Sequence, residues 1–161
     1  MKHDLSEYVS KVDAAKIQEF VGKTIRNEPY GKVLVFLGNG SNGKTTVSRA
    51  IQNLVEKETK SQCNISHGYL KNLVSIPVKD LSDSDYMRIK TLVSGCLIHI
   101  LDAEDLDLST INFCDCILNC KRLNLRVDEC IVPKCNLLIS INKIPQGLSS
   151  SFEVIEFNHT F

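Results

Sequence analysis

The sequence predicts an α/β fold with a mostly parallel sheet of about five strands flanked by helices. Short apolar runs rich in β-branched residues alternate along the chain with segments whose apolar residues have helical spacing. One apolar run stops at a loop of Gly, Asn and Ser, and a helical pattern follows this loop directly. The chain has 161 residues, 43% hydrophobic and 24% charged, which fits a single globular domain.

The first part of the chain predicts a helix, a strand and a second helix. Residues 5–26 carry apolar residues at mostly helical spacing, and the segment NEPYG at 27–31 ends that pattern. The run KVLVFL at 32–37 predicts a strand buried on both faces. Residues 45–57 have apolar residues at i, i+3, i+4, i+7 and i+8, which is typical of an amphipathic helix.

The second part predicts further strands around another helix. Residues 81–95 predict a helix with Ser82 as its N-cap, Asp85 as the reciprocal acid and Gly95 as its terminator. Short apolar runs predict strands at residues 96–101, 135–142 and 152–157.

Two stretches stay ambiguous at this stage. Within residues 63–78 the run NLVSIPV could form a strand, which Pro77 makes less favourable, and residues 108–126 favour neither helix nor strand. With no internal repeat or linker in view, we expect residues 1–29 to form a helical lead-in and residues 30–161 to form one core domain.

Charge and cysteine content limit the possible partners. The 19 basic residues balance the 19 acidic ones, so no global field favours nucleic acid, although a local basic patch stays possible. The seven cysteines are odd in number and the N-terminus lacks signal-peptide order, so we expect reduced thiols in a cytosolic-type compartment. The apolar runs are too short to span a bilayer, and no membrane partner is expected.

The segment GNGSNGKT fits the pattern G-x-x-x-x-G-K-[ST] between a predicted strand and a predicted helix. Its glycines allow a tight turn that directs backbone N–H groups at an anion, and the helix N-terminus adds its positive dipole end. Lys44 would reach the β- and γ-phosphates, and the Thr45 hydroxyl would bind Mg²⁺. The alternative is a chance glycine turn. The predicted nucleoside triphosphate site comprises Gly38, Asn39, Gly40, Ser41, Asn42, Gly43, Lys44, Thr45 and Thr46.

Acidic residues follow the predicted strand at 96–101. Asp102 comes directly after the apolar run and Glu104 lies two residues on, so an extended backbone would put both on one face. We assign Asp102 to the metal and Glu104 to the attacking water, with Asp105 as a possible substitute for either. A solvated acidic loop after a core strand is the alternative interpretation.

Asn142 ends the strongly apolar run LLISIN. An amide at the tip of a buried strand is well placed to touch a γ-phosphate or its attacking water. The alternative is an ordinary turn residue before KIP, because Asn favours turns.

These motifs, in this order, resemble those of the superfamily-three helicases of DNA viruses and mobile elements. The likeness is greatest to the helicase part of the poxvirus-type and of the phage- or plasmid-type primase-helicases. Three segments carry the likeness: GNGSNGKTT at 38–46, LIHILDAEDL at 97–106 and LLISINKIP at 137–145. The likeness covers about residues 30–161.

The resemblance implies an AAA+-like P-loop fold and a hexameric ring of ATPases that uses ATP and Mg²⁺ to move on single-stranded DNA. For a viral protein, the compartment would be the host cytoplasm or nucleus. The resemblance also implies that Asn142 senses the γ-phosphate, so Lys44, Glu104 and Asn142 would form the catalytic set.

The resemblance further implies a basic hairpin between the acidic motif and Asn142, facing the ring channel. The window CKRLNLRVDECIVPK offers cations that would contact the DNA backbone without reading sequence. A solvated charged turn is the alternative for each of them. The nucleic-acid candidates are Lys121, Arg122 and Arg126, with Lys134 as a further cation.

Two departures from the family pattern leave other functions open. Ser149, Ser150 and Ser151 stand where the family usually carries arginine, and no arginine follows Arg126. The chain also ends at Phe161 without a primase portion, so we expect a minimal or degenerate helicase. A nucleotide-binding regulatory subunit of a mixed ring, with little turnover of its own, is the main alternative.

A small nucleoside or nucleotide kinase is a further alternative. Such enzymes use arginines to clamp a second phosphate substrate, and this chain has none in an evident lid; its arginines are Arg26, Arg49, Arg88, Arg122 and Arg126.

A zinc site is disfavoured, because the spacing from Cys114 to Cys135 lacks the usual paired knuckles. His99, inside an apolar run, is expected to be a core histidine with its polar groups satisfied rather than a metal ligand.

Overall fold

A computed structural model describes residues 5–38, 43–60, 64–66, 70, 72–73, 76–103, 108–119, 123–126, 129–131, 133, 135–143 and 148–157. The strands in chain order are β1 (Val33–Leu37), β2 (Asn64–Ser66), β3 (Leu97–Ala103), β4 (Leu123–Arg126), β5 (Glu129–Ile131), β6 (Asn136–Ile141) and β7 (Phe152–Glu156). The helices are α1 (Lys11–Ile25), α2 (Lys44–Thr59), α3 (Asp83–Ser94) and α4 (Leu108–Leu118), with 3-10 turns at Leu5–Glu7 and Val78–Asp80.

Five of these strands form one parallel sheet in the order β2-β3-β6-β1-β7, and β4 pairs with β5 as a separate antiparallel ribbon. The strand β6 therefore lies between β1 and β3, although it comes last of the three in the chain. The predicted α/β class with a mostly parallel sheet of about five strands is confirmed.

Helices cover both faces of the sheet and make a three-layer molecule. On one face, α1 and α2 pack on Leu34, Phe36 and Leu138. On the other face, α3 and α4 pack on side chains that include Val35 and Ile139. Because β1 and β6 are covered on both sides, their residues are almost all buried, which is why they appear in the sequence as continuous apolar runs. Among the described residues, no helix has the length and apolarity needed to cross a bilayer.

The predicted continuous helix over residues 5–26 is wrong at its start. A 3-10 turn precedes α1, which begins only after Ser10, whose side chain accepts a hydrogen bond from the backbone N–H of Asp13 at 3.1 Å. The apolar residues Leu5, Tyr8 and Val9 are buried because they pack in the core under α1 and α2. Their helix-like spacing therefore reflects the burial of a 3-10 turn and the residues after it, not a continuous helix.

Both ambiguous stretches are now assigned where they are described. Residues 72–73 are helical, so the strand considered for NLVSIPV is wrong there, and a short strand lies earlier at Asn64–Ser66. Residues 108–126 divide into α4 and β4. The division of the chain at residue 30 stays a prediction.

The amide of Asn136 ties the segment between α1 and β1 to the start of β6. Its nitrogen donates to the Thr24 hydroxyl and to the Glu28 carbonyl, each at 3.0 Å, and its oxygen accepts from the Tyr30 backbone N–H at 3.0 Å. Phe20 packs edge-on against the Tyr30 ring at 5.1 Å. These contacts fix where β1 enters the sheet. They therefore also fix where the glycine loop after β1 begins.

Candidate nucleotide-binding site

Three strand ends meet at one edge of the sheet. Leu37 at the end of β1 pairs with Ile141 at the end of β6, and Ala103 at the end of β3 pairs with the same Ile141. The backbone N–H of Gly38 donates to the Ile141 carbonyl at 3.2 Å, which fastens the start of the glycine loop to β6. Ligands of open parallel sheets bind outside this carboxyl edge.

The helix α2 begins at this edge with the residues of the phosphate-binding motif. Gly43 precedes it with φ of +86°, a left-handed conformation that a residue with a Cβ adopts only at a cost. Lys44 is the first helical residue, and Thr45 and Thr46 are exposed in the first turn. Asn39, Gly40, Ser41 and Asn42 lie outside the described residues. The helix N-terminus provides N–H groups and a partial positive charge for an anion.

The ammonium group of Lys44 is buried among three oxygen acceptors. Its Nζ donates to the Gly38 carbonyl at 2.7 Å, to the Ile141 carbonyl at 2.9 Å and to the Asn142 side-chain oxygen at 2.6 Å. The residue is only 7% exposed, and this burial lowers the pKa of the amine. A buried ammonium is costly to desolvate unless its N–H bonds are satisfied, and these oxygens supply acceptors for them.

Asn142 follows β6 directly and is exposed, and its oxygen touches the ammonium of Lys44. The structure therefore brings together two of the three predicted catalytic residues. The third, Glu104, lies outside the described residues, as does Asp105.

The backbone of Asp102 lies at the same edge. Ile100 pairs with Ile139 and Ala103 with Ile141, so three steps along β3 match two along β6 and the register shifts at residues 101–102. Such bulges are frequent next to active sites because they redirect side chains. The Asp102 backbone therefore lies beside the carboxyl end of β6, and the metal role of its carboxylate stays a prediction.

No protein-family model matches the sequence, and no curated protein matches it. Solved structures do match. An inhibitor-bound JCV helicase superposes with a TM-score of 0.58 at 18% identity over 94% of this chain and 41% of its own. RuvB of Thermotoga maritima (a P216G mutant) superposes with a TM-score of 0.57 at 15% identity, over 98% of this chain and 49% of its own. The apo C-terminal region of NrS-1 superposes with a TM-score of 0.55 at 18% identity, over 97% of this chain and 35% of its own.

The chain has the fold of an AAA+-like P-loop ATPase. The resemblance predicted from the three motifs is confirmed at the level of the fold, since the matches include a helicase and the NrS-1 region. The chain spans less than half of each of these structures.

The predicted DNA-contacting segment of this P-loop fold is only partly described. It contains the antiparallel ribbon β4–β5, in which Arg126 pairs with Glu129. The side chain of Arg126 lies outside the described part of the chain, as do Lys121, Arg122 and Lys134 entirely. The ribbon agrees with the hairpin that the resemblance implies, and the DNA-binding role of its cations stays a prediction.

The serine run, Ser149 to Ser151, lies at the edge of the sheet opposite the P-loop. The backbone N–H of Val33, at the start of β1, donates to the Ser151 carbonyl at 2.8 Å, and Val33 pairs with Phe152. Lys44 follows the other end of β1. A strand of five residues is about 16 Å long, so this position cannot serve the P-loop of its own chain.

The expectation for His99 is half wrong. It is a fully buried core residue, but only its Nε2 has a partner, the Ser140 hydroxyl at 3.5 Å, and Nδ1 has none among the described residues. Burial lowers the pKa of His99 to about 4. No cluster of metal-ligating side chains occurs in the described part of the chain. Cys120 and the side chain of Cys130, both between Cys114 and Cys135, lie outside it.

Sequence reasoning missed the two main-chain partners of Lys44. The Gly38 and Ile141 carbonyls become neighbours of the ammonium only because β6 pairs with β1. Every residue has a main-chain carbonyl, so residue types do not show which carbonyls a lysine will contact. The only usable signal was an apolar run ending in Asn142.

Proposed function

We propose that this chain is an ATP-dependent DNA helicase-type ATPase acting in the replication of viral or mobile-element DNA. One observation carries the proposal: Lys44, at the N-terminus of α2, contacts Asn142 at the edge where β1, β3 and β6 end. That arrangement puts a cation, a helix dipole and a neutral amide around one point, as binding and hydrolysis of a triphosphate require.

The proposed roles follow from these positions. Lys44 and the backbone of the P-loop would hold the triphosphate, and Thr45 with Asp102 would hold Mg²⁺. Glu104 would orient and deprotonate the attacking water. Asn142 would contact the γ-phosphate. Hydrolysis would remove this phosphate and so change the contacts at the end of β6. Movement of the segment 121–126 against the DNA backbone would follow.

The first test is nucleotide binding and turnover with a matched lysine control. Lys44→Met should abolish binding of Mg-ATP by calorimetry and hydrolysis stimulated by oligo-dT. Lys57→Met changes an exposed lysine near the other end of the same helix and should leave both unchanged. Equal activity of wild type and Lys44→Met would refute the proposal.

The partners proposed are single-stranded DNA and further copies of the chain in a ring. DNA affinity should fall steeply with salt, and Arg126→Ala should weaken oligo-dT binding without altering ATP affinity. Mass photometry with a non-hydrolysable ATP analogue and oligo-dT should show a ring. A monomer under all conditions would refute the ring.

A regulatory subunit with little turnover is the second candidate, and the serine run before β7 favours it. An arginine at such a subunit edge contributes about 10³-fold or more to turnover in related enzymes. If the chain binds Mg-ATP but DNA adds no turnover, this second candidate replaces the first.

A further inference from the structure

The Gly38, Ile141 and Asn142 oxygens that Lys44 contacts differ in their freedom to move. The Gly38 carbonyl follows β1, and the Gly38 N–H is itself bonded to β6, while the Ile141 carbonyl belongs to β6. The Ile141 carbonyl is therefore fixed by the sheet, and the Gly38 carbonyl belongs to the residue directly after β1. The third oxygen belongs to the side chain of Asn142, which is exposed and lies outside the ladder.

We infer that Asn142 is an intramolecular competitor for the Lys44 ammonium, which an incoming phosphate must displace before the lysine can hold a nucleotide. The inference rests on the proposed function, because it concerns the same lysine. A phosphate oxygen carries negative charge and bonds an ammonium more strongly than a neutral amide oxygen does. The exchange is thus favourable, but part of the phosphate's binding free energy is used to break the existing contact.

The exchange couples two events at one position. While Lys44 holds the Asn142 oxygen, that oxygen cannot accept a hydrogen bond from the attacking water, although the amide N–H groups can still donate to a phosphate. Once a phosphate takes the ammonium, the oxygen is released at the edge where β3 and β6 end. Asn142 would then orient water only after phosphate has arrived, which gives the site an ordered response to nucleotide.

Binding of ADP separates this role from contact with the γ-phosphate. ADP has no γ-phosphate, so a residue that acts only on that group should not affect ADP affinity. A competitor for Lys44 should weaken ADP binding, because Lys44 also reaches the β-phosphate. Removing the competitor should therefore tighten it.

The experiment measures Mg-ADP affinity by calorimetry for wild type, Asn142→Ala and Asn142→Leu. The leucine variant keeps a branched side chain with the same number of heavy atoms but removes the acceptor. Both variants should bind ADP about tenfold more tightly. In wild type, the hydrogen bond between Lys44 and Asn142 must break when ADP binds, whereas the variants lack this bond already in the free protein. Asn119→Ala, which changes an exposed asparagine after α4, should bind as wild type does.

Unchanged or weaker ADP binding in both variants would overturn the inference. Tightening in Asn142→Ala alone would also overturn it, because the gain would then come from space rather than from the lost acceptor.

A second measurement needs no nucleotide: urea unfolding of Lys44→Met, Asn142→Ala and the double variant.

If the contact exists, the unfolding equilibrium constant of the double variant should differ about threefold or more from the value that independent effects predict. Independent effects would overturn the contact itself. Should wild type and variants all fail to bind ADP and ATP, the proposed function and the competition fail together. The unfolding cycle then still shows whether Lys44 and Asn142 interact.

Discussion

Buried polar side chains in this protein differ in how far their hydrogen-bonding groups are satisfied. The amide of Asn136 uses both of its N–H groups and its oxygen, whereas His99 has a partner for one ring nitrogen only. A buried polar group without a partner costs free energy, so these two residues should respond differently to substitution and to pH.

Asn136→Ala should lower the free energy of unfolding by about 2–3 kcal/mol, because it leaves the Tyr30 N–H and the Glu28 carbonyl without this partner. Urea unfolding followed by circular dichroism measures the loss. Asn119→Ala removes an exposed asparagine and should stay within about 0.5 kcal/mol of wild type. Equal losses in the two variants would show that the Asn136 contacts do not stabilise the fold.

The stability of the protein should fall as the pH is lowered from 6.5 towards 4. The pKa of His99 is about 4 when folded, against 6.5 for an ordinary histidine, so the unfolded chain binds more protons in this range. The total loss should be about 3 kcal/mol. His99→Gln should flatten the profile of unfolding free energy between pH 6.5 and 4.

A carboxylate gives the control for this pH profile. The hydrogen bond from Lys16, together with contact to Lys32, lowers the pKa of Glu153 from its usual 4.5. Its stabilisation is therefore present above pH 4.5 and lost below it. Glu153→Gln should change only the acid part of the profile, and an unchanged slope in His99→Gln above pH 4.5 would contradict the role of His99.

At the scale of elements, capping residues decide where helices begin. Ser82 accepts a hydrogen bond from the backbone N–H of Asp85 at 3.1 Å, as its sequence position predicts. Gly95 ends α3 as predicted, but with φ of −76° it needs no left-handed conformation. Local side-chain chemistry was thus sufficient at the start of this helix.

Ser82→Ala should cost about 1 kcal/mol of unfolding free energy, because an orphan N–H of the first turn loses its acceptor. Ser84→Ala, two residues on and exposed inside the helix, should be neutral or slightly stabilising, since alanine has the higher helix propensity. Urea unfolding of the pair gives both values. A loss in both variants would mean that the effect does not come from the cap.

At the scale of the whole molecule, the two ends of the parallel strands carry different predicted functional residues. Gly38 and Lys44 of the P-loop lie at the carboxyl edge, and the serine run lies at the amino edge beside the start of β1. A side chain at Ser150 is therefore too distant from Lys44 to serve the P-loop of its own chain, and it would reach a bound nucleotide only if that nucleotide lay on a neighbouring copy.

Ser150→Arg should leave ATP turnover unchanged in dilute solution and raise it as protein concentration favours assembly, because an arginine supplied in trans stabilises transferring charge. Turnover measured from nanomolar to micromolar protein, with scattering to follow assembly, tests this. Ser84→Arg adds the same charge on α3 and should show no such dependence. A rise in dilute Ser150→Arg would contradict the placement of the serine run.

Local patterns were enough to predict several elements. The strands β1, β3, β6 and β7 and the helices α2 and α3 lie close to their predicted positions, because burial on both faces and helical spacing each leave a strong local signal. The start of α1, the strand β2 and the ribbon β4–β5 were not resolved, since short segments carry little periodicity and depend on what they pack against.

The sequence by itself determined the strand–loop–helix unit that ends in Lys44, because glycines, a lysine and an amphipathic helix act over neighbouring residues. Only the tertiary structure decided that β6 inserts between β1 and β3, which brings Ile141 and Asn142 to the Lys44 ammonium. Strand order depends on pairing between residues about a hundred positions apart, and such pairing leaves no mark on either segment taken alone.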